Sequence, residues 1–158
     1  MTAAAGTRAE APRELTVLPG EVVDRRPAAA YLRATATNNA VGRDVELDYA
    51  ARALFSSAFG LAVRRRFRPG APVGDIARLV ANARWRHQQL ALSAIALSAM
   101  EVEMLIREAL GEEVPTEGIP LARIIATYVV MFASIVEELA LTDDELDELI
   151  AEADALCP

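Results

Sequence analysis

The feature that most constrains the fold is an apolar segment that follows Pro120 and has the spacing of one long helix. In its middle only Thr127 and Ser134 are polar, so a helix over 121–140 would be apolar on nearly every side. Such a helix must be covered, either by the rest of its own chain or by another molecule. The segment therefore predicts a core helix or an oligomer interface, formed by Ile124, Tyr128, Val129, Phe132, Ile135 and Val136.

Four other segments have the apolar spacing of amphipathic helices, with proline, glycine or capping residues at their boundaries. We expect these helices over about 44–67, from Asp75 to a break near 92–98, from Ser98 to Gly111, and from Thr142 onward. Ser98 with Glu101 and Thr142 with Glu145 are both capping-box patterns. The first of these patterns favours two helices over one continuous helix spanning 75–110.

The amino-terminal part of the chain is predicted to differ from the rest. Residues 1–24 combine a small, polar beginning with short β-type runs around Pro19-Gly20. Because an isolated hairpin is marginal in water, we expect a flexible or extended arm over 1–26, and then a single helical domain over 27–158. Alanine, at 32 of 158 residues, favours helices that approach closely. The sequence thus predicts an all-α fold, a compact bundle of five to six helices with an extended N-terminal arm.

Three scarce residue types exclude much of the chemistry that side chains can carry. The chain has one cysteine, one histidine and no lysine, which excludes an internal disulfide, multi-histidine or multi-cysteine metal sites and a Schiff-base lysine. His87 continues an apolar helical stripe and is predicted to pack in the core or at an interface, and Cys157 is predicted to be a mobile thiol. We therefore predict no catalytic residue, no metal site and no cofactor.

Two sequence properties bear on where the protein works. The amino terminus has no apolar stretch of signal-peptide length, and uncharged runs in the carboxyl half such as 124–136 are shorter than the roughly 20 residues that a membrane span needs. This indicates a cytoplasmic location. Arginine is the only strongly basic residue type, and together with abundant alanine it suggests a bacterial genome rich in G and C.

The net charge of −7 hides opposite charges in the two halves of the chain. Residues 1–86 carry 14 arginines against 8 acidic residues, a net charge of +6. Residues 87–158 carry 2 arginines against 15 acidic residues, a net charge of −13. We expect the arginine-rich segment 52–86 to dock against the acidic segment 137–154, within one subunit or between two.

The arginine-rich segment also contains the candidate contact residues for a partner or a polyanion. Arginine binds phosphate with paired hydrogen bonds and an exposed tryptophan stacks on a base, so a nucleic acid is one possible partner. If the segment folds as an antiparallel helical hairpin, its arginines form a stripe and not one pocket. A helix-turn-helix over 76–110 is disfavoured because the charged residues of its second helix are mainly glutamates, which the phosphates of a nucleic acid would repel. The candidates are Arg52, Arg64, Arg65, Arg66, Arg68, Arg84, Trp85 and Arg86.

These features together predict a non-enzymatic protein that acts through protein–protein contacts, as a homo-oligomer or as a subunit of a larger assembly. The alternative is a nucleic-acid-associated regulator that binds through an arginine-rich helical hairpin at 52–86. A third class, an enzyme or small-ligand carrier with an apolar pocket inside the bundle, has no motif to support it.

Overall fold

Six helices make up most of the residues that the structure, a computed structural model, describes: 24–37, 49–88 and 96–158. They are α1 (Arg26–Ala36), α2 (Tyr49–Arg66), α3 (Val73–His87), α4 (Ala99–Ala109), α5 (Leu121–Glu138) and α6 (Asp143–Ala155), and no β-strand occurs in these ranges. The all-α prediction is confirmed for this part of the chain. The predicted arm, apart from its last three residues, and the turn at Pro19-Gly20 lie outside the described residues.

The capping residues act at the helix ends where the sequence places them. Thr142 accepts a hydrogen bond from the Glu145 amide at 3.2 Å, and the Glu145 carboxylate accepts one from the Thr142 amide at 2.8 Å, which completes the capping box of α6. Ser98 caps α4 more weakly, since its hydroxyl lies 3.5 Å from the Glu101 amide. The carboxylate of Glu101 instead contacts Arg123 at 2.7 Å, which ties α4 to α5.

The described residues of the stretch 75–110 form two separate helices, as the sequence predicts. α3 ends at His87 and α4 begins after Ser98. Residues 89–95, which include part of the predicted break, lie outside the described residues. α4 is followed by Gly111 at a φ of 89°, a conformation that glycine adopts without strain.

The apolar helix α5 is the centre of the bundle. It packs against α1, α2 and α3, while α6 packs on α1 and α2 and α4 packs on α2 and α3. Every residue from Ile125 to Val136 is buried except Tyr128, which is half-buried. The chain itself therefore covers the apolar surface that the sequence leaves to the core or to an interface. No helix in the described ranges is both long enough and apolar enough to cross a bilayer.

The expected antiparallel hairpin of the two arginine-rich helices over 52–86 is not found. α2 packs mainly on α5 and α6, and α3 packs on α5 and α4, so the two helices do not lie along each other. The reason is that α5 is apolar on nearly every side and offers each of them a separate surface. The connection between them contains Pro69, Pro72 and Gly70, which has a φ of 79°.

Candidate functional site

Three of the seven candidate arginines bind carboxylates of the acidic segment in the same chain. Arg65 contacts Glu152 at 2.8 Å, and Arg66 contacts Glu138 at 3.0 Å. Arg86 pairs with Glu137. The expected docking of 52–86 against 137–154 thus takes place within one chain, and these guanidinium groups are already occupied.

Helix α1 and the residue before it add two arginines to the same pattern. Arg33 contacts Asp147 at 2.7 Å, and Arg25 pairs with Asp154. Hydrogen bonds to these carboxylates raise the pKa of both arginines above the ordinary value. Carboxylates of α6 are therefore bound by arginines on both of its flanks, since Arg33 comes from α1, Arg25 directly precedes α1, and Arg65 comes from α2.

Arg86 is a structural residue of the core. Its side chain is 8% exposed, whereas that of its partner Glu137 is 66% exposed. Arg86 also donates a hydrogen bond to the backbone oxygen of Thr35 at 3.1 Å. Grouping Arg86 with Trp85 by sequence proximity missed this role. The signal was its position, three residues after Ala83 and seven after Leu79, which places it on the buried face of α3.

Four candidate arginines have exposed side chains and bind no carboxylate in the part of the chain that the structure describes: Arg52, Arg64, Arg68 and Arg84. Arg64 folds back over Gly60, where an added Cβ would lie 3.1 Å from its Nη1 atom. Arg64 and Arg68 border a groove of about 450 Å³ at the ends of α2 and α4. Cations offset the partial negative charge at the carboxyl-terminal end of a helix. The position of Arg64 and Arg68 near the carboxyl ends of α2 and α4 therefore has a structural explanation.

The most distinctive exposed surface lies along α3, next to the start of α4. Trp85 is 68% exposed, which is unusual for the largest apolar side chain. It borders a groove of about 520 Å³ that Arg84 and Leu97 also line, and a smaller one of about 130 Å³ continues it toward Ala77 and Glu103. We call this surface the α3–α4 face and define it by Ala77, Ala81, Arg84, Trp85 and Gln88 of α3 and its end, with Leu97 and Ala99 at the start of α4.

The six residues proposed for the apolar helix lie in the core or at its edge. Val129, Phe132, Ile135 and Val136 are buried, and Ile124 and Tyr128 are half-buried and packed against the core. The ring of Tyr128 lies 4.9 Å from that of Phe59 on α2. Burial raises the pKa of Tyr128, and a hydrogen bond with Ser56 lowers it by less.

The single histidine lies where the sequence predicts it, and the single cysteine does not. His87 is buried on α3, in line with the predicted packing. Cys157 is not the mobile thiol that we expected: it is half-buried, its Sγ donates to the Ala153 backbone oxygen at 3.4 Å, and it lies 3.9 Å from Ser57 Oγ. The reason is that the chain after α6 stays packed on α2. Within the described ranges, no cluster of three or more histidine, cysteine or acidic side chains is arranged to hold a metal ion.

Comparisons with known proteins return no match: no protein-family model, curated protein sequence or solved structure matches this chain. The candidate site is therefore defined by the chain's own residues. Of the surfaces described above, the α3–α4 face combines an exposed tryptophan, an arginine that binds no carboxylate of the described chain, and an adjoining groove.

Proposed function

We propose that the chain is a non-enzymatic, cytoplasmic protein that binds another protein molecule through the α3–α4 face. The observation that carries this proposal is the exposure of Trp85 beside the groove. Tryptophan and arginine are enriched among the residues that dominate binding energy at interfaces. A tryptophan on the surface leaves a large apolar area in water, and a partner that covers it recovers that free energy.

Two of the sequence features that favoured self-association, the apolar helix and the charge split, are used within the chain and do not support this face. The apolar side of α5 is covered by α1, α2 and α3, and Arg65, Arg66 and Arg86 bind acidic residues of their own chain. A partner must therefore bind elsewhere. The α3–α4 face supports this, because its helical residues Ala77, Ala81, Arg84 and Trp85 are all exposed.

A nucleic acid fits the same surface less well. Three of the seven candidate arginines are held by carboxylates, and Arg52, Arg64 and Arg84 lie at separate places on α2 and α3. The net charge of −7 also repels a polyanion at long range. A protein partner is therefore the proposal, and a nucleic acid is one of the outcomes that the experiment below can reveal.

Site-specific photo-cross-linking tests the proposal directly. A photoreactive amino acid is placed at Ala81 or at Trp85, with Ala122 on α5 as a matched exposed control, and the cells that make the protein are irradiated. We expect covalent protein adducts from positions 81 and 85 and at most weak ones from position 122. Mass spectrometry then identifies what is attached.

Each outcome of this experiment decides for or against the proposal. An adduct to another protein, or to a second copy of this chain, supports it. An adduct to nucleic acid contradicts it and supports the alternative. The proposal is also wrong if positions 81 and 85 give no more adduct than position 122.

A further inference from the structure

The outer face of α6 presents four exposed residues in a straight line along the helix. They are Asp144, Glu148, Ala151 and Ala155, separated by four, three and four residues, which places them on one side of a helix. The acidic residues on either side of this line are already paired, because Asp147 binds Arg33, Asp154 binds Arg25 and Glu152 binds Arg65. Asp144 and Glu148 bind no arginine in the described part of the chain.

The α3–α4 face has a line of exposed residues with the same spacing. Ala77, Ala81, Arg84 and Gln88 are also separated by four, three and four residues. Gln88 follows α3 directly and keeps helical backbone angles, with φ −64° and ψ −19°, so it continues the line. All four residues border the grooves between α3 and α4.

The two lines match position by position when they run in opposite directions. Ala155 then lies opposite Ala77, and Ala151 lies opposite Ala81, which lets the two helix backbones approach closely. The acidic residues meet groups that can bind them, in the pairs Glu148 with Arg84 and Asp144 with Gln88. In the parallel direction the charged residues would face alanines, and no ion pair would form. Charge and size thus select the antiparallel arrangement.

We infer that α6 of a second copy of this chain docks on the α3–α4 face, antiparallel to α3, so that the protein self-associates head to tail. This inference rests on the proposed function and names the partner. Because the α3–α4 face and the outer face of α6 are different surfaces of one molecule, each copy can bind two others, and the contact builds a ring or a linear chain of subunits.

The exposed apolar residues at the ends of the two lines support the same arrangement. Val73, one turn before Ala77, is 61% exposed, and Leu156, next to Ala155, is 56% exposed. The antiparallel alignment brings these two side chains to the same end of the contact. Trp85 lies beside Arg84 and covers the first turn of the docked helix. Glu103, at the wall of the groove, pairs with Arg107 at 3.0 Å, so it adds little repulsion toward Glu148.

A charge-swap experiment tests the pairing of Arg84 with Glu148. Sedimentation velocity is measured at concentrations up to about 100 µM, where an interface with a micromolar Kd is almost fully formed. We expect the wild-type chain to form species heavier than its 17.0 kDa monomer. Arg84→Glu and Glu148→Arg each place like charges opposite each other, and each is expected to raise the Kd about tenfold or more.

Combining the two changes is expected to restore association, because opposite charges then face each other again with their positions exchanged. This rescue should occur in the double variant and also when the two single variants are mixed. Arg68→Glu and Glu117→Arg make the same charge changes at exposed positions away from both lines and are expected to leave the Kd unchanged. All of these positions are exposed, and circular dichroism checks that each variant stays folded.

Three results would overturn the inference. One is a wild-type chain that stays monomeric at every concentration, and another is a wild-type oligomer that neither single variant weakens. The third is the absence of rescue in the double variant, which shows that Arg84 and Glu148 do not face each other. A monomeric chain would leave the proposed function standing if photo-cross-linking at Ala81 captured a different protein, so the two ideas fail separately.

Discussion

Phe132→Ala is expected to lower the free energy of unfolding by about 3–5 kcal/mol, the largest loss that we predict for a single substitution. Phe132 is fully buried in α5, the helix that contacts α1, α2 and α3. The change removes the transfer free energy of the ring and leaves a cavity that the surrounding helices fill only in part. Equilibrium unfolding in urea, followed by circular dichroism, measures the loss.

The matched control for this prediction lies on the same helix. Leu121, the first residue of α5, is 46% exposed, so Leu121→Ala is expected to cost less than about 1 kcal/mol. A large difference between the two variants supports a central, covered α5. Similar small losses for both would show that the side chain of Phe132 is not enclosed by the other helices.

Glu137→Gln is expected to cost about 2 kcal/mol, the second-largest effect. The substitution removes a countercharge of Arg86, whose side chain is buried and also donates to the Thr35 backbone oxygen. Breaking a fully buried pair costs about 3–5 kcal/mol, and we expect less here because Glu137 is exposed and water can reach the vacated position. The same urea titration measures the change.

The neighbouring glutamate supplies the comparison. Glu138 pairs with Arg66 at 3.0 Å, and the Arg66 side chain is 20% exposed and stays in contact with water, so Glu138→Gln is expected to change stability by no more than about 1 kcal/mol. Equal losses for the two variants would contradict a structural role for the Arg86–Glu137 pair. Both glutamates lie on α5 and undergo the same substitution, but the partner arginine is more buried in the Arg86 pair, at 8% exposed, than in the Arg66 pair, at 20%.

Much of the fold follows from local sequence signals. Apolar spacing and capping residues such as Thr142 and Ser98 identify the helices, because a helix end needs these side chains wherever the helix lies in the fold. The same signals do not show what covers an apolar helix. The segment after Pro120 fits a core helix and an interface helix equally well, and only the positions of α1, α2 and α3 decide between them.

Contacts between distant parts of the chain do not follow from such local signals. The predicted hairpin over 52–86 is wrong because α2 and α3, although neighbours in sequence, each pack on the apolar surface of α5 and not along each other. The charge split predicted docking between the two halves but did not show which arginines take part. Arg86 is buried and Arg84 is exposed, although only Trp85 separates them, because a helix turns successive residues to different sides.

The surface that remains once these internal contacts are made is what carries the functional proposal. Arg65 and Arg66 complement acidic residues of their own chain, whereas Arg84 on α3 and Glu148 on α6 have no such partner among the described residues. The charge asymmetry of the sequence is thus used twice in our interpretation: within the chain to hold α6 in place, and between copies to join α6 to α3.

Fluorescence of Trp85 tests most directly whether the α3–α4 face is exposed to water. Trp85 is the only tryptophan in the chain, so the emission comes from this face alone. For the dilute protein we expect the emission of an indole ring in water and efficient quenching by iodide, which the charge of Arg84 attracts. Emission typical of a buried ring, together with resistance to iodide in the dilute protein, would show that this face is closed and would contradict the proposed binding surface.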